Sequence, residues 1–293
     1  MLHLKTRFLS TLEKIFGLVP RKRVYGKILN KKFVVIKGTI RESNDYDDAW
    51  LLALAYEAKV IYDIGCNVGQ SSLLLLFPDN VQKIVLVEPN PLALSFCAEN
   101  LIFNALSHKA QFVCAFASIE PGKIIDFFTV GTGAAGSMFS HHAVTASNVG
   151  ASIKVSTTSL DALYHQYGIL PDLVKIDVEG AEILVLQGAT EIATQKKTRF
   201  FVEMHSSPEM SMEHNAMQVI EWCKSNKYDA WYLKDKIILK KSNQIAHRGR
   251  CHLLLLPFAT PFPNYLKCLS QSDALQKVPE ILTGLGRSSD MDL

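Results

Sequence analysis

Short apolar runs alternate with longer amphipathic segments from residue 60 onward. Apolar runs bounded by turn residues predict buried strands, and the amphipathic segments predict helices on the faces of a sheet. This alternation is typical of α/β folds with a mostly parallel sheet. The predicted strands are 60–64, 83–88, 110–115, 123–129, 152–157, 172–177, 198–204, 228–232 and 251–256, with a hairpin at 236–240. The predicted helices are 47–58, 69–76, 91–103, 159–166, 180–187 and 213–225.

The chain divides most simply into one domain with two extensions. The alternating elements fill residues 33–258, without an internal repeat or a low-complexity linker. In residues 1–32, apolar positions recur at helical spacing, which predicts a basic amphipathic helix. Residues 259–293 form a C-terminal tail whose polar end is predicted to fray.

Residues 130–150 interrupt every periodicity with glycines, small residues and the adjacent His141 and His142. Long irregular loops inside compact domains are usually functional or disordered. We interpret this segment as a cover over a ligand site, with surface disorder as the alternative. The two histidines are expected to be solvated loop residues, and the alternative is that a closing loop brings one of them to the substrate.

The formal charge of +3 is distributed unevenly. Residues 1–32 contain nine Lys or Arg residues and one acid, Glu13, so the rest of the chain has an excess of acids. This distribution argues against a nucleic-acid groove across the main domain. The basic extension is expected to pack on its own domain or on a second subunit, and peripheral contact with an anionic membrane is the alternative.

Composition narrows the class of protein further. With 48% hydrophobic and 20% charged residues, disorder is excluded as the main state. No apolar stretch reaches the roughly 20 residues that a membrane-spanning helix needs. The six cysteines include no CxxC pair, which favours a reduced, cytoplasmic compartment.

The first strand of the alternation leads into a glycine-containing turn that suits a ligand. Asp63 ends the strand, Gly65 and Gly69 follow, and the next helix offers free backbone N–H groups. A nicotinamide-dinucleotide fingerprint needs glycine at the third and sixth positions of this turn, where Asn67 and Gln70 stand. The loop also lacks a phosphate-binding lysine, which favours a ligand with a cationic amino-acid portion.

The second strand ends in Glu88, which is a candidate ribose ligand. A carboxylate at this position can accept hydrogen bonds from both hydroxyls of an adenosine ribose. Because Pro89 and Pro91 indicate a helix start, Glu88 could instead stabilise the positive end of that helix. The glycine turn and the acid occur in the expected order, so we prefer ribose binding.

These motifs resemble those of the S-adenosylmethionine-dependent methyltransferases and, more narrowly, those of the FkbM-type family. The resemblance covers about residues 45–257. It rests on YDIGCNVGQSS (62–72), VEPNP (87–91), Asn100, GS (136–137), TSLDAL (158–163), LVKIDVEGAEILVLQGA (173–189) and VEMH (202–205). It implies a Rossmann-like class I methyltransferase fold, in which a seven-stranded sheet has helices on both faces and an antiparallel last strand. It also implies methyl transfer, commonly to a hydroxyl, so the expected acceptor is a sugar, a glycan or another small metabolite.

The same resemblance implies which residues hold S-adenosylmethionine. They fall into three groups: Asp63, Gly65, Asn67, Gly69 and Asp177 at the methionine end, Glu88 and Pro89 at the ribose, and Phe116 and Ala117 at the adenine.

Charged residues follow two neighbouring strands toward the ligand edge of the predicted sheet. Lys175 is expected to be buried and therefore to need a carboxylate partner. Strand alternation, with the strand order that the resemblance implies, makes Glu203 its natural partner, and Asp63 competes for this role. Asp177 and His205, one step further along, are expected to face the cleft together.

Methyl transfer to a hydroxyl gains from a positioned base. His205 has a suitable intrinsic pKa, and Asp177 could orient it or replace it. Glu179 could face the substrate from its loop. Glu182 is expected only to favour the positive end of the following helix.

Three alternatives stay open at this point. Asp177, His205 and Glu179 could bind magnesium, although we prefer a site without metal. A nicotinamide-dependent oxidoreductase is the rival enzyme class, and the missing glycines count against it. A non-catalytic binding protein with a methyltransferase fold is the rival outside enzymology.

Overall fold

The computed structural model describes residues 21–41, 47–129, 152–206 and 210–289. In chain order, its strands are β1 Arg23–Ile28, β2 Lys31–Ile36, β3 Val60–Ile64, β4 Lys83–Val87, β5 Ala110–Val113, β6 Phe116–Ala117, β7 Ile124–Phe128, β8 Ser152–Thr158, β9 Leu173–Ile176, β10 Arg199–His205, β11 Tyr228–Tyr232, β12 Ile237–Ile238 and β13 Arg250–Pro257. Its α-helices are α1 Asp48–Tyr56, α2 Gln70–Leu75, α3 Pro91–Phe103, α4 Leu160–Tyr167, α5 Glu182–Gln187, α6 Thr190–Thr194, α7 Met212–Asn226, α8 Asn264–Lys267 and α9 Lys277–Ser289.

A single large sheet organises the fold, in the order β12-β11-β13-β10-β9-β3-β4-β5. Strands β3, β4, β5, β9 and β10 are parallel, and β13 is antiparallel to both of its neighbours. Apolar side chains form a core on each face of this sheet. The predicted fold class is confirmed, and the two-residue strand β12 adds an eighth strand at one edge. A second, three-stranded sheet has the order β6-β8-β7.

Most predicted elements are shifted by one or two residues at an end, and two of these shifts have a clear cause in the backbone. The predicted helix 180–187 begins only at Glu182, because Glu179 and Gly180 both have positive φ angles, of 51° and 99°. The strand predicted at 110–115 ends at Val113, because the chain leaves the large sheet there and starts the small sheet at Phe116.

The N-terminal hairpin β1–β2 was not among the predicted elements. The boundary proposed between residues 32 and 33 lies within β2, whose Phe33 and Val35 are buried. The side chains of Asn100 in helix α3 and of Asn104, directly after its end, also hold this strand. Asn100 Oδ1 accepts a hydrogen bond from Ile36 N at 2.9 Å, and Asn104 Oδ1 accepts one from the backbone N of residue 34 at 2.9 Å.

The tail after residue 258 also joins the core. Leu266, Leu269, Leu275 and Val278 are buried in the same apolar cluster as helix α1. The polar end beyond residue 289, the predicted N-terminal helix and the predicted cover at 130–150, with its two histidines, lie outside the described residues. Within the described residues, no helix has the length and apolar character needed to cross a membrane.

Candidate active site

Two glycines shape the turn between β3 and α2. Gly65 has a φ of 78°, and a Cβ there would lie 1.9 Å from the backbone oxygen of Asp177. Gly69 has a φ of 87°, and a Cβ there would lie 2.7 Å from Cys97 Sγ. Only glycine fits both positions, because each combines a left-handed backbone with a close neighbour. Asn67, between them, adopts a φ of 47°, which asparagine tolerates better than most residues.

Glu88 closes one end of a cleft at the carboxyl edge of the sheet. It is 7% exposed, and its two carboxylate oxygens accept hydrogen bonds from Asn90 N at 2.9 Å and from Asn67 N at 3.0 Å. Burial raises the pKa of Glu88 to about 7, although these backbone N–H groups oppose the shift. Glu88 therefore ties the glycine turn to the start of helix α3.

The cleft itself is narrow, with a volume of about 70 Å³. Its apolar walls include Phe116, Ala117, Phe127 and Pro89, and Glu88 and Asp177 supply polar groups. The predicted ribose and adenine residues therefore border one cleft. Within the described structure, Asn67 Oδ1 is buried without a hydrogen-bond partner, so the cleft offers an acceptor to a ligand donor.

Asp63 supports the glycine turn from behind. It is fully buried, and its Oδ2 accepts hydrogen bonds from Ser71 Oγ at 3.0 Å and from Ser72 Oγ at 2.8 Å. Among the residues that line the cleft and the neighbouring cavity described below, Asp63 and Gly69 do not appear. Asp63 and Gly69 therefore shape the turn from behind the cleft, and their place at the border of the methionine part of the cofactor stays a prediction.

Lys175 pairs with acids other than the one first expected. Its Nζ lies 3.1 Å from Asp63 Oδ1 and 3.4 Å from Asp177 Oδ2, and it donates to Gly65 O at 2.9 Å. Burial alone would lower the pKa of Lys175, but the two carboxylates raise it well above its usual range. Lys175 is therefore a buried cation that joins the glycine turn to the end of β9.

The sheet register explains why Glu203 is not the partner of Lys175. Across β9, Lys175 lies opposite Asp63 on one side and opposite Phe201 on the other, which leaves Glu203 beyond its reach. Glu203 instead lies 3.0 Å from Arg250 Nη1 and 3.5 Å from His252 Nε2. The expectation of a Lys175–Glu203 pair is wrong, and the competing Asp63 is the partner.

His205 lies at the end of β10, and the structure brings it near Asp177, as predicted. Its Nε2 is 3.6 Å from Glu203 Oε1, 3.7 Å from Glu179 Oε2 and 4.0 Å from Asp177 Oδ1. Its Nδ1 is 2.7 Å from Glu182 Oε1. Burial alone would lower the pKa of His205, but the bond to Glu182 and the surrounding carboxylates raise it to about 9. Burial also raises the pKa of Glu179.

Glu182 does more than the helix-end role that the sequence suggested. It is fully buried and lies in a hydrogen-bonded network with His205, Gly180 and Asn215. Sequence reasoning also missed Asp47 and His252, whose Oδ2 and Nε2 are 3.3 Å apart. No sequence signal indicates the contact between Glu182 and Asn215, because an acid at a helix start and an asparagine in a helix both have ordinary explanations.

A larger cavity of about 470 Å³ adjoins the cleft and shares Gly65, Asn67, Asp177 and Glu179 with it. Its other charged lining residues include both acids and bases: Asp47, Asp48 and Glu203, and Arg41, Lys175 and Arg250. Segment 38–41, which follows the N-terminal hairpin, forms part of its wall. Asp177 and Glu179 therefore stand where the two spaces meet.

Within the part of the chain that the structure describes, two sets of side chains have the spacing of metal ligands: Asp177, Glu203 and His205, and Asp47, Glu203 and His252. The first set contains Glu203 where the magnesium alternative had Glu179. Two carboxylates of that set already have cationic neighbours, since Asp177 pairs with Lys175 and Glu203 with Arg250. Charge balance in this set therefore does not require a metal ion.

The family model described as "Methyltransferase FkbM domain" matches residues 63–235. Solved structures that are similar include methyltransferase FkbM from Methylobacillus flagellatus KT, at 13% identity over 68% of this chain and 43% of that chain, with a TM-score of 0.43. This chain thus spans less than half the length of that protein. TYW2 from M. jannaschii in complex with AdoMet is 13% identical over 81% of this chain and 85% of that chain, with a TM-score of 0.43. A putative O-methyltransferase from Klebsiella pneumoniae is 13% identical over 75% and 83% of the respective chains, with a TM-score of 0.43.

No curated protein matches the sequence.

Proposed function

Since this chain belongs to the FkbM methyltransferase family, whose model matches residues 63–235, we propose that it transfers a methyl group from S-adenosylmethionine to a hydroxyl of a sugar or another small metabolite. The observation that carries this proposal is the junction of the two spaces. A narrow cleft with a buried ribose-type acid meets a wider polar cavity at Asp177 and Glu179.

The residues of the cleft fit the cofactor. Glu88 would accept the ribose hydroxyls through its remaining lone pairs, Phe116 and Ala117 would border the adenine, and Asn67 Oδ1 would accept a donor of the methionine portion. When bound, S-adenosylmethionine supplies an electrophilic methyl group on a sulfonium sulfur, which keeps the electron pair of the broken carbon–sulfur bond.

The chemistry of the wider cavity supports a polyhydroxylated acceptor. Carboxylates of Asp47, Asp48, Asp177, Glu179 and Glu203 line it, and each can accept a hydrogen bond from a hydroxyl. Arg41 and Arg250 at its wall can donate to hydroxyl or ring oxygens. Acids outnumber bases in the lining, so an anionic acceptor is disfavoured.

The acceptor hydroxyl must lose its proton, and His205 Nε2 is our proposed proton acceptor. The ring does not itself line the cavity, but its Nε2 lies 3.6–4.0 Å from the lining carboxylates of Glu203, Glu179 and Asp177. The raised pKa of His205 has a consequence for this role, because only the neutral ring can accept a proton. Turnover by His205 is therefore expected to rise with pH up to about 9. If Glu179 is the base instead, turnover is not expected to follow the titration of His205.

The test is to incubate the protein with S-adenosylmethionine and a series of glycosides and to look by mass spectrometry for the gain of one methyl group. His205→Ala should lower turnover roughly 10²–10⁴-fold and leave cofactor affinity nearly unchanged. Asp177→Ala should reduce both, because Asp177 borders both spaces.

Three results would contradict the proposal in different ways. A folded protein that binds no S-adenosylmethionine in calorimetry would favour a non-catalytic role. Activity abolished by EDTA and restored by magnesium would make Asp177 and His205 metal ligands. A His205→Ala variant with the parent turnover would leave alignment of the two substrates as the main contribution.

A further inference from the structure

The two nitrogens of the His205 ring have different surroundings: Nδ1, on the inner side of the ring, has a shorter contact than Nε2, on its outer side. Glu182 Oε1 lies 2.7 Å from His205 Nδ1 and also accepts a hydrogen bond from Gly180 N at 2.9 Å. Glu182 Oε2 accepts one from Asn215 Nδ2 at 3.1 Å. Glu182 is fully buried and His205 is 8% exposed, so water does not replace these contacts.

The roles of donor and acceptor in this network follow from the chemistry of its members. Asn215 Nδ2 also donates to His205 O at 3.0 Å, and a carbonyl oxygen can only accept, which fixes the orientation of the asparagine amide. Glu182 therefore receives N–H groups from Gly180 and Asn215, as an ionised carboxylate does. An ionised carboxylate can only accept, so the hydrogen between Glu182 and His205 belongs to Nδ1.

We propose that Glu182, held by Asn215, is a positioning residue that fixes the His205 ring with its hydrogen on Nδ1 and leaves Nε2 to face the acceptor. This inference rests on the proposed methyl transfer for its functional consequence, but the position of the hydrogen can be tested without it.

The outer side of the ring agrees with this assignment. Glu203, Glu179 and Asp177 approach Nε2 at 3.6–4.0 Å, which is longer than a normal hydrogen bond. Nε2 is therefore not committed to any of these three carboxylates. When it takes the proton of an acceptor hydroxyl, all three stabilise the resulting imidazolium, while Glu182 continues to hold Nδ1.

Glu182→Gln is the direct test, because it keeps the size of the side chain and removes its charge. The matched control is Glu191→Gln in the exposed pair His165–Glu191, where Nε2 and Oε2 also form a short contact of 2.6 Å. Nitrogen-15 NMR of the full chain with labelled histidine, recorded without substrates and at a pH above the pKa of His205 of about 9, where the ring is neutral, reports which ring nitrogen of His205 carries the hydrogen. We expect Nδ1–H in the parent and in the control, and a changed pattern in Glu182→Gln.

Kinetics provide the second measurement. Glu182→Gln should lower kcat roughly 10²-fold, at the lower end of what a general base contributes, without a matching change in KM for the cofactor. Should this variant fail to fold, Asn215→Ala replaces it: the bond to Nδ1 stays, so kcat should fall less and the hydrogen should stay on Nδ1.

Two outcomes would overturn the inference: a parent His205 with its hydrogen on Nε2 alone, or a Glu182→Gln variant with the parent NMR pattern and the parent kcat. If no acceptor is methylated by the parent, the proposed function fails, whereas the NMR result still decides the position of the hydrogen.

Discussion

The proposed cofactor cleft and the proposed acceptor cavity meet at Asp177, yet they are held by different kinds of bond. In the cleft, the carboxylate of Glu88 accepts hydrogen bonds from two backbone N–H groups, that of Asn67 in the glycine turn and that of Asn90 in the loop of Glu88 itself. In the cavity, carboxylates are held by the side chains of Lys175, Arg250 and His205, which come from different strands. Backbone donors are present whatever the neighbouring residue is, whereas a side-chain pair fails when either member changes.

This difference has an energetic consequence. A backbone-anchored carboxylate can be altered with mainly local effects. A buried side-chain pair leaves an uncompensated charge when one partner is removed, and that charge costs more than the pair contributes. We therefore expect the acceptor side to be more sensitive in folding and the cofactor side to be more sensitive in binding.

The largest expected effect is that of Lys175→Met. This change leaves the fully buried Asp63 and the half-buried Asp177 without their shared cation. Removing one member of a buried pair typically costs about 3–5 kcal/mol in the free energy of unfolding. Chemical denaturation followed by circular dichroism measures the loss, with Lys83→Met on an exposed position of β4 as the control. If Lys175→Met lost no more free energy of unfolding than Lys83→Met, the acceptor side would not be more sensitive in folding than the cofactor side.

The same contrast explains which parts of the fold the sequence predicts. The strands of the large sheet carry apolar runs long enough to stand out, so their positions were predicted within about two residues. The β1–β2 hairpin was missed because lysines and arginines mask the alternation of its few buried residues, such as Phe33 and Val35. The helices α8 and α9 of the tail were not predicted, because the few buried apolar residues of this segment, such as Leu266 and Val278, stand among many polar ones.

The site divides in the same way. The grouping of Asp177 with His205 follows from one rule, that parallel strands end at a common edge. The partner of Lys175 depends on the register between strands: Asp63 lies directly opposite Lys175 on β3, whereas Glu203 lies two residues beyond Phe201, which is opposite Lys175 on β10. The Glu182–Asn215 contact joins the start of α5 to α7, and nothing in either segment indicates the other.

Glu88→Gln tests the cofactor side and has a smaller expected effect. Alanine at this position would also leave the N–H groups of Asn67 and Asn90 without acceptors, whereas glutamine keeps an acceptor oxygen. The affinity for S-adenosylhomocysteine should fall by about 1.5–3 kcal/mol, the range for hydrogen bonds to a charged group. Calorimetry measures the affinity, and thermal unfolding should be little changed. Unchanged affinity in the folded variant would mean that Glu88 only stabilises the glycine turn and does not bind the ribose.

The smallest expected effect concerns the proton of Glu88. Burial raises its pKa to about 7, so the side chain is mostly ionised at pH 8 and mostly protonated at pH 6. A protonated carboxyl has lost one acceptor site for the ribose hydroxyls, so affinity for S-adenosylhomocysteine should weaken as pH falls through 7. Linkage limits the change to about tenfold between pH 8 and pH 6. Titration of the ligand itself changes the affinity of the parent and of Glu88→Gln equally. Any further change of affinity with pH should therefore appear in the parent alone. If both proteins show the same dependence in calorimetry, the carboxylate of Glu88 does not contact the ligand. Binding of the cofactor would then depend on residues of the cleft other than Glu88.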